Sequence, residues 1–423
     1  MPDRRWKRDG RVTESGYGRR FDRGVIVGLV VVAVSAVIYW FADRDFDAFR
    51  GDFFYLADAF LHGRTWLTFQ PGPYDVIVRD GRFYVPFAPF PAVAFMPLVA
   101  VVGAVTADQI ESGINAVLAA SGVGLCWMLL ARIGVRRLFD RLALTILFGF
   151  STQILWITTR GGVWHTGQLI ATILTFACLI EVWGKQRSWL IGLLAGAAFL
   201  SRAPLALAIP FYALMLEPRT ALPTTDVAGG YIASIARPER LRAWAGLALG
   251  VLPAIIGFFA YNQVRFGSPF ESGYGLATLP AFLEANRALG LFSIAHLPMN
   301  IDYFLLHLPK VIPDFPYFRP DGLSLSVLIT SPGLLFATQA DWRRPRAWWL
   351  AGATIAVLIP TLLYYGGGWL QYGYRYFLDS VPFVVALCGL AAVNKGRIGW
   401  GWMALIAFGT VVMAFGVYWA PII

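Results

Sequence analysis

Four aspartates follow closely on the first long apolar run: Asp52 and Asp58 in FRGDFFYLADAFLHGR, then Asp75 and Asp80 in PYDVIVRDGR. A carboxylate held against a partly apolar wall has its pKa raised, which tunes it to act as a general base near neutral pH. Asp52 is set apart by its place at a helix start behind Gly51, whereas Asp58, between Ala57 and Ala59, reads as a surface charge. Two arginines supply the opposite sign. Arg202 stands in LLAGAAFLSRAPLALAIPF, where a cation needs a partner. An anionic ligand and an ion pair with a first-loop carboxylate both meet that need. Arg375, in GGGWLQYGYRYF, is flanked by Tyr372, Tyr374 and Tyr376. It reads as an interfacial arginine in an aromatic belt or as a guanidinium able to hold phosphate bidentately. Arg160 and His165 in TTRGGVWHTGQ form a third polar group, ranked lower because a lone histidine is usually structural. The candidates are thus Asp52 as base and Arg202 and Arg375 on a phosphate, with Arg160, His165, Asp75 and Tyr374 as further substrate contacts.

The elements that position these residues belong to a membrane protein. The chain of 423 residues is 57% hydrophobic and only 14% charged, with 16 Trp, too little charge for a soluble protein of this length. Its net charge of +10 lies in short clusters between apolar segments, where topology accounts for it and nucleic acid is not needed as a partner. Cys126, Cys178 and Cys388 fall inside apolar segments, with no metal-ligand spacing. The basic start, residues 1–23, precedes about 18 apolar residues without a small-residue cleavage site, so a retained first helix with a cytoplasmic tail is expected.

Placing that tail inside predicts cytoplasmic clusters at 131–141, 184–188, 237–242, 341–346 and 394–397. The spans are then 24–41, 113–131, 141–158, 164–183, a pair within 189–216 turning near LSRAP, 243–262, 323–338, 347–365, 377–393 and 399–419. This gives an all-α transmembrane bundle of about eleven spans, read as one membrane domain over 1–423. Residues 87–106, with Pro89, Pro91 and Pro97, are expected to dip or lie on the surface as an irregular segment. The outer face carries the first loop, 43–112, and a long loop, 263–322, which either closes over a substrate or covers helix ends. In the first loop, residues 52–62 form an amphipathic wheel with Phe53, Phe54, Leu56, Ala57, Phe60 and Leu61 on one arc, expected to lie on the membrane surface. RDGR is expected to turn between two short strands.

A carboxylate and cations on the outer side, without a P-loop, a dinucleotide fingerprint or a zinc motif, suit an activated donor that arrives through the membrane. In a lipid-linked phosphosugar the tail enters the bilayer, the phosphate meets arginine and the sugar faces the carboxylate. The base takes the proton of an acceptor hydroxyl, which attacks the anomeric carbon with inversion as the phosphate leaves. No cofactor or metal is called for. A transporter or flippase of a lipid-linked or anionic substrate is the alternative, disfavoured because the two halves show no matching broken helices.

In RGDFFYLADAFLHGR, DGRFYVPFAPFPAVAFMPLVAVVG, LSRAP, YNQVRFGSPFESGY, LITSPGLLF and GYRYFLDSVPF, taken in order, the sequence resembles the GT-C superfamily of integral-membrane glycosyltransferases. The resemblance implies a polyprenyl-phosphate sugar donor, a glycan, lipid or protein acceptor, and a bacterial plasma-membrane protein with its site outside. It matches the family's first-loop acid to Asp52, but Phe53 stands where many members carry a second acid, which weighs against metal assistance.

Overall fold

The computed structural model describes residues 23–42, 52–72, 74–159, 161–216, 238–368 and 371–419. The described chain is mostly helical, with two short antiparallel hairpins. Among the described residues, five helices are long and apolar enough to cross a membrane: Arg23–Ala42, Glu111–Ile133, Val163–Val182, Pro238–Phe266 and Trp400–Tyr418. The remaining expected spans are shorter or broken. Residues 141–158 divide into Leu138–Phe150 and Gln153–Thr158, with Thr152 capping the second. Residues 323–338 hold only the short helix Val327–Thr330 and a 3-10 stretch Pro332–Gln339, since Pro332 lacks the N–H a continuous helix needs there. Residues 377–393 begin as a 3-10 turn, Arg375–Asp379, and continue as helix Val381–Lys395, while 347–365 becomes Pro345–Leu362.

Residues 189–216 form two arms, as expected. Ser188–Phe199 ends at Leu200, and the chain restarts as a 3-10 stretch, Ala203–Ala208, that runs into Ile209–Met215. Arg202 sits in the break with extended backbone, φ −144°. The irregular segment expected at 87–106 is instead a helix, Phe90–Val102, ended by Gly103 in a positive-φ conformation of 80°. Pro91 falls in its first turn, where the missing N–H costs nothing. Thirteen residues reach about 20 Å, short of the ~30 Å hydrocarbon core.

The helix Asp52–Leu61 packs its apolar arc against Phe90–Val102, with the Phe54 and Phe95 rings 4.7 Å apart. Phe53, Phe54, Leu56 and Ala57 are buried as the wheel places them, against Phe95 and Val99 of Phe90–Val102 among others. Ala59, on the polar arc, is buried too, and Leu61 is exposed. Beyond this helix, Ile77–Arg79 pairs with Arg82–Tyr84 in the register Ile77 to Tyr84. Asp80 and Gly81 make the turn with φ of 51° and 70°, the left-handed pair that a two-residue hairpin requires.

The closest helix pair is Ser188–Phe199 with Pro238–Phe266. A Cβ on Gly192 would fall on the Leu247 carbonyl oxygen, and one on Gly250 on the Trp189 carbonyl oxygen. Small residues thus let two backbones touch, the packing that holds helices together where lipid offers no hydrophobic drive. This pair carries the Arg202 break at one end and the start of the long loop at the same end.

Candidate functional site

A cavity of about 290 Å³ lies between helix ends and the two loops. Trp164 and Gly167 of Val163–Val182, Arg202 and Pro204 of the break, Phe258, and Thr361 form its helical side. Tyr74, Asp75 and Phe87 of the first loop and Tyr274, Ala277 and Leu279 of the long loop close the other side. Arg375, Tyr364, Tyr365 and Tyr376 complete it. The walls are largely apolar and aromatic with a few convergent charges, the composition of small-ligand sites.

The two loops are joined into one cover. Asp75 N–H donates to the Thr278 carbonyl and Thr278 N–H to the Val76 carbonyl, each at 2.9 Å. Ile77, Tyr84, Phe266 and Ala277 bury one another behind this bridge. Gly273, at φ 87°, leaves no room for a Cβ, which would meet the Ile77 side chain. Arg265 pins the start of the long loop: its Nη1 donates to Val85 O at 3.0 Å, its Nη2 to Asn262 Oδ1 at 2.9 Å, and its guanidinium stacks on Tyr261. The far end of the loop is closed by His307, whose ring nitrogens lie 2.8 Å from Asp302 Oδ2 and 3.0 Å from Asp321 Oδ2.

The two arginines enter the cavity in different states. Arg202 is neutralised: its Nε and Nη2 both lie 3.0 Å from Oδ2 of Asp379, a carboxylate only 2% exposed. The ion pair considered for it exists, but with residue 379 and not with a first-loop acid. Arg375 is 5% exposed, its Nε has no hydrogen-bond partner, and no ion pair reaches it among the described residues. Its guanidinium lies 4.9 Å over the Trp164 ring and 5.2 Å over Tyr376. Its main chain is fixed on both sides. Arg375 N–H donates to Gln371 Oε1 at 3.1 Å, and its carbonyl accepts from Gln168 Nε2 at 2.9 Å. The chain turns at the glycines before it, with Gly367 and Gly368 both at positive φ and Gln371 Nε2 donating to Gly367 O at 3.0 Å.

Of the carboxylates, Asp75 lines the cavity and Asp52 does not, although its neighbour Phe53 does. Burial raises the Asp75 pKa to about 6, against the opposing pull of Arg375 and a hydrogen bond with Trp164. Asp52 is driven well above the ordinary carboxylate range, first by burial and then by Asp75, Glu111 and Asp108. Asp108 accepts the Tyr55 hydroxyl at 3.1 Å and Glu111 the Thr166 hydroxyl at 2.8 Å, so Asp52 faces a cluster of its own sign.

The other expected contacts lie elsewhere. Tyr374 is fully buried and donates to the Thr361 carbonyl at 2.9 Å, holding the turn in place without lining the cavity. His165 is buried between Trp156 and Trp164 with Nδ1 3.1 Å from Gly161 O, outside the lining. Arg160 lies outside the described residues. Asp58, as expected, is a surface charge near Arg64, at 3.7 Å. Sequence reasoning missed Asp379, whose signal was an acid inside FLDSVPF. It also missed Trp164 and Tyr274, which carry no signal beyond being aromatic. Among the described residues no group of three or more His, Cys, Asp or Glu side chains is placed to hold a metal ion. The chain matches no known protein family, no curated protein and no solved structure.

Proposed function

We propose that the protein is a multi-pass membrane glycosyltransferase of about eleven spans. In this reading it transfers a sugar, with inversion, from a polyprenyl-phosphate donor to a hydroxyl of a glycan, lipid or protein acceptor. The N-terminus is cytoplasmic, the site faces away from the cytosol, and the membrane is the bacterial plasma membrane. A first-loop carboxylate acts as base, and the chemistry needs no cofactor. The observation that carries the reading is Arg375, a buried cation without an ion-pair partner among the described residues, in the same aromatic cavity as a carboxylate. A guanidinium stripped of water favours an anion that can accept two hydrogen bonds, and a phosphate leaving beside it needs no separate acid. The apolar remainder of the cavity suits a donor that comes from the bilayer.

Purified protein incubated with a panel of polyprenyl-phosphate sugars is expected to cut the sugar–phosphate bond of at least one. A transporter would return every donor intact, and that result would end the glycosyltransferase reading. Arg375→Ala is expected to weaken binding of a non-cleavable donor analogue by tenfold or more, about 1.4 kcal/mol. Unchanged calorimetric affinity would remove the phosphate from this arginine.

A further inference from the structure

The proposed transfer needs one group to receive the acceptor's proton, and the choice of that group rests on the glycosyltransferase reading. Asp52 and Asp75 are close enough to interact electrostatically, but only Asp75 opens onto the cavity. At the position next to Asp52, the Phe53 side chain takes the wall instead. Asp75 is also the more deliberately placed of the two. It holds a left-handed backbone, φ 55°, which fixes the direction in which its side chain leaves the loop. Its N–H donates to the Thr278 carbonyl, and Thr278 N–H returns a bond to the carbonyl of the next residue, Val76, across the two loops. Trp164 hydrogen-bonds the Asp75 side chain, and the same tryptophan's ring carries the Arg375 guanidinium. One indole therefore fixes both the carboxylate and the cation, and the two charges attract without closing into an ion pair.

We propose that Asp75, and not Asp52, is the catalytic base of the transfer. The acceptor's O–H proton moves to an Asp75 carboxylate oxygen as the acceptor oxygen bonds to the anomeric carbon. The bond from that carbon to the donor phosphate breaks, and its electron pair leaves on the phosphate, beside Arg375. Burial sets Asp75 near 6, so it is ionised at neutral pH yet still basic enough to take a proton. Asp52 is also raised above the ordinary carboxylate range, by burial and then by Asp75, Glu111 and Asp108, but its side chain does not open onto the cavity where an acceptor hydroxyl would stand. The charged and titratable groups that face Asp75 are Arg375, Asp52, Tyr274 and Tyr365, from four different elements.

The test measures donor turnover and donor-analogue binding for the full-length wild type, Asp75→Asn, Asp52→Asn and Asp58→Asn. Asp75→Asn is expected to lower kcat by roughly 100-fold or more with donor affinity within about threefold. Asp52→Asn is expected to lose at least tenfold less than Asp75→Asn, because residue 52 does not line the cavity. Asp58→Asn, at the surface, is the control for the substitution chemistry. In the wild type, kcat/KM is expected to rise tenfold per pH unit up to about 6 and then level, the limb of a base that must lose its proton. Active wild type with Asp75→Asn turning over within tenfold of it, or with Asp52→Asn the deeper loss, overturns Asp75 alone. Wild type that cuts no donor overturns the glycosyltransferase reading and the base together. Should Asp75→Asn fail to fold, the wild-type profile decides: a flat profile between pH 5 and 7 excludes a base of this kind.

Discussion

Arg202 and Arg375 reach one cavity by different electrostatic routes, and the difference decides what each is for. Arg202 gave up water for a carboxylate 177 residues away in sequence, whereas Arg375 gave it up for aromatic faces that offer no charge. A buried ion pair adds little net stability, but removing one partner strands the other's charge. Asp379→Asn is therefore expected to lower stability by about 3–5 kcal/mol. Replacing both partners with apolar side chains, Arg202→Met with Asp379→Leu, is expected to cost clearly less. Thermal unfolding in detergent separates the two outcomes, and an equal loss in both would mean that Asp379 holds the cavity by some route other than Arg202. At this scale the sequence was readable wherever a charge stood in an apolar run, which is how Arg202 and Arg375 were found. Partners were not readable: nothing in LSRAP points to FLDSVPF, because the pairing is made only when two helix breaks meet in space. Asp75 was visible as an acid, but its left-handed backbone and its bond with Trp164 belong to the folded loops.

Helices were legible from apolar run length, and their breaks from proline, yet run length says nothing about how closely two helices approach. Ser188–Phe199 and Pro238–Phe266 meet through Gly192 and Gly250, each pressed on a backbone carbonyl of the other helix. The same long helix carries Gly257, around which nothing lies within 4 Å. Gly250→Ala is expected to destabilise the protein by about 1–3 kcal/mol, since backbone cannot yield as a flexible side chain can. Gly257→Ala, by contrast, is expected to be neutral or to stabilise by up to about 1 kcal/mol through helix propensity alone. Comparing the two by unfolding in the same detergent isolates the close approach. If both behave alike, the helices do not touch where the glycines stand. Because this pair carries both the Arg202 break and the root of the long loop, Gly250→Ala should also loosen donor-analogue binding.

At the scale of the molecule, the described basic loops between helices lie at the end away from the cavity. Glu111 opens a helix of 23 residues within electrostatic reach of Asp52, and Ile133 ends it about 33 Å away. Past that far end the basic loops converge: Arg137 lies 3.6 Å from Asp140, Ile398 N–H donates to the same Asp140, and Arg346 lies over Trp183. The aspartate that receives Arg137 thus also ties the 394–397 cluster to the 131–141 cluster. The basic loop clusters thus stand at one end of the described residues and the cavity at the other, so the proposed cytoplasmic basic face and outward cavity can be tested together. Cys126, Cys178 and Cys388 are fully buried, so a single introduced cysteine can report its own side of the membrane. Asp80→Cys, at the exposed hairpin turn, is expected to react with a membrane-impermeant maleimide in intact cells. Arg137→Cys, also exposed, is expected to react only after the cells are opened. The reverse pattern would put the cavity on the cytosolic side, where a soluble nucleotide sugar could serve as donor. The case for a lipid-borne one would then lose its main physical support.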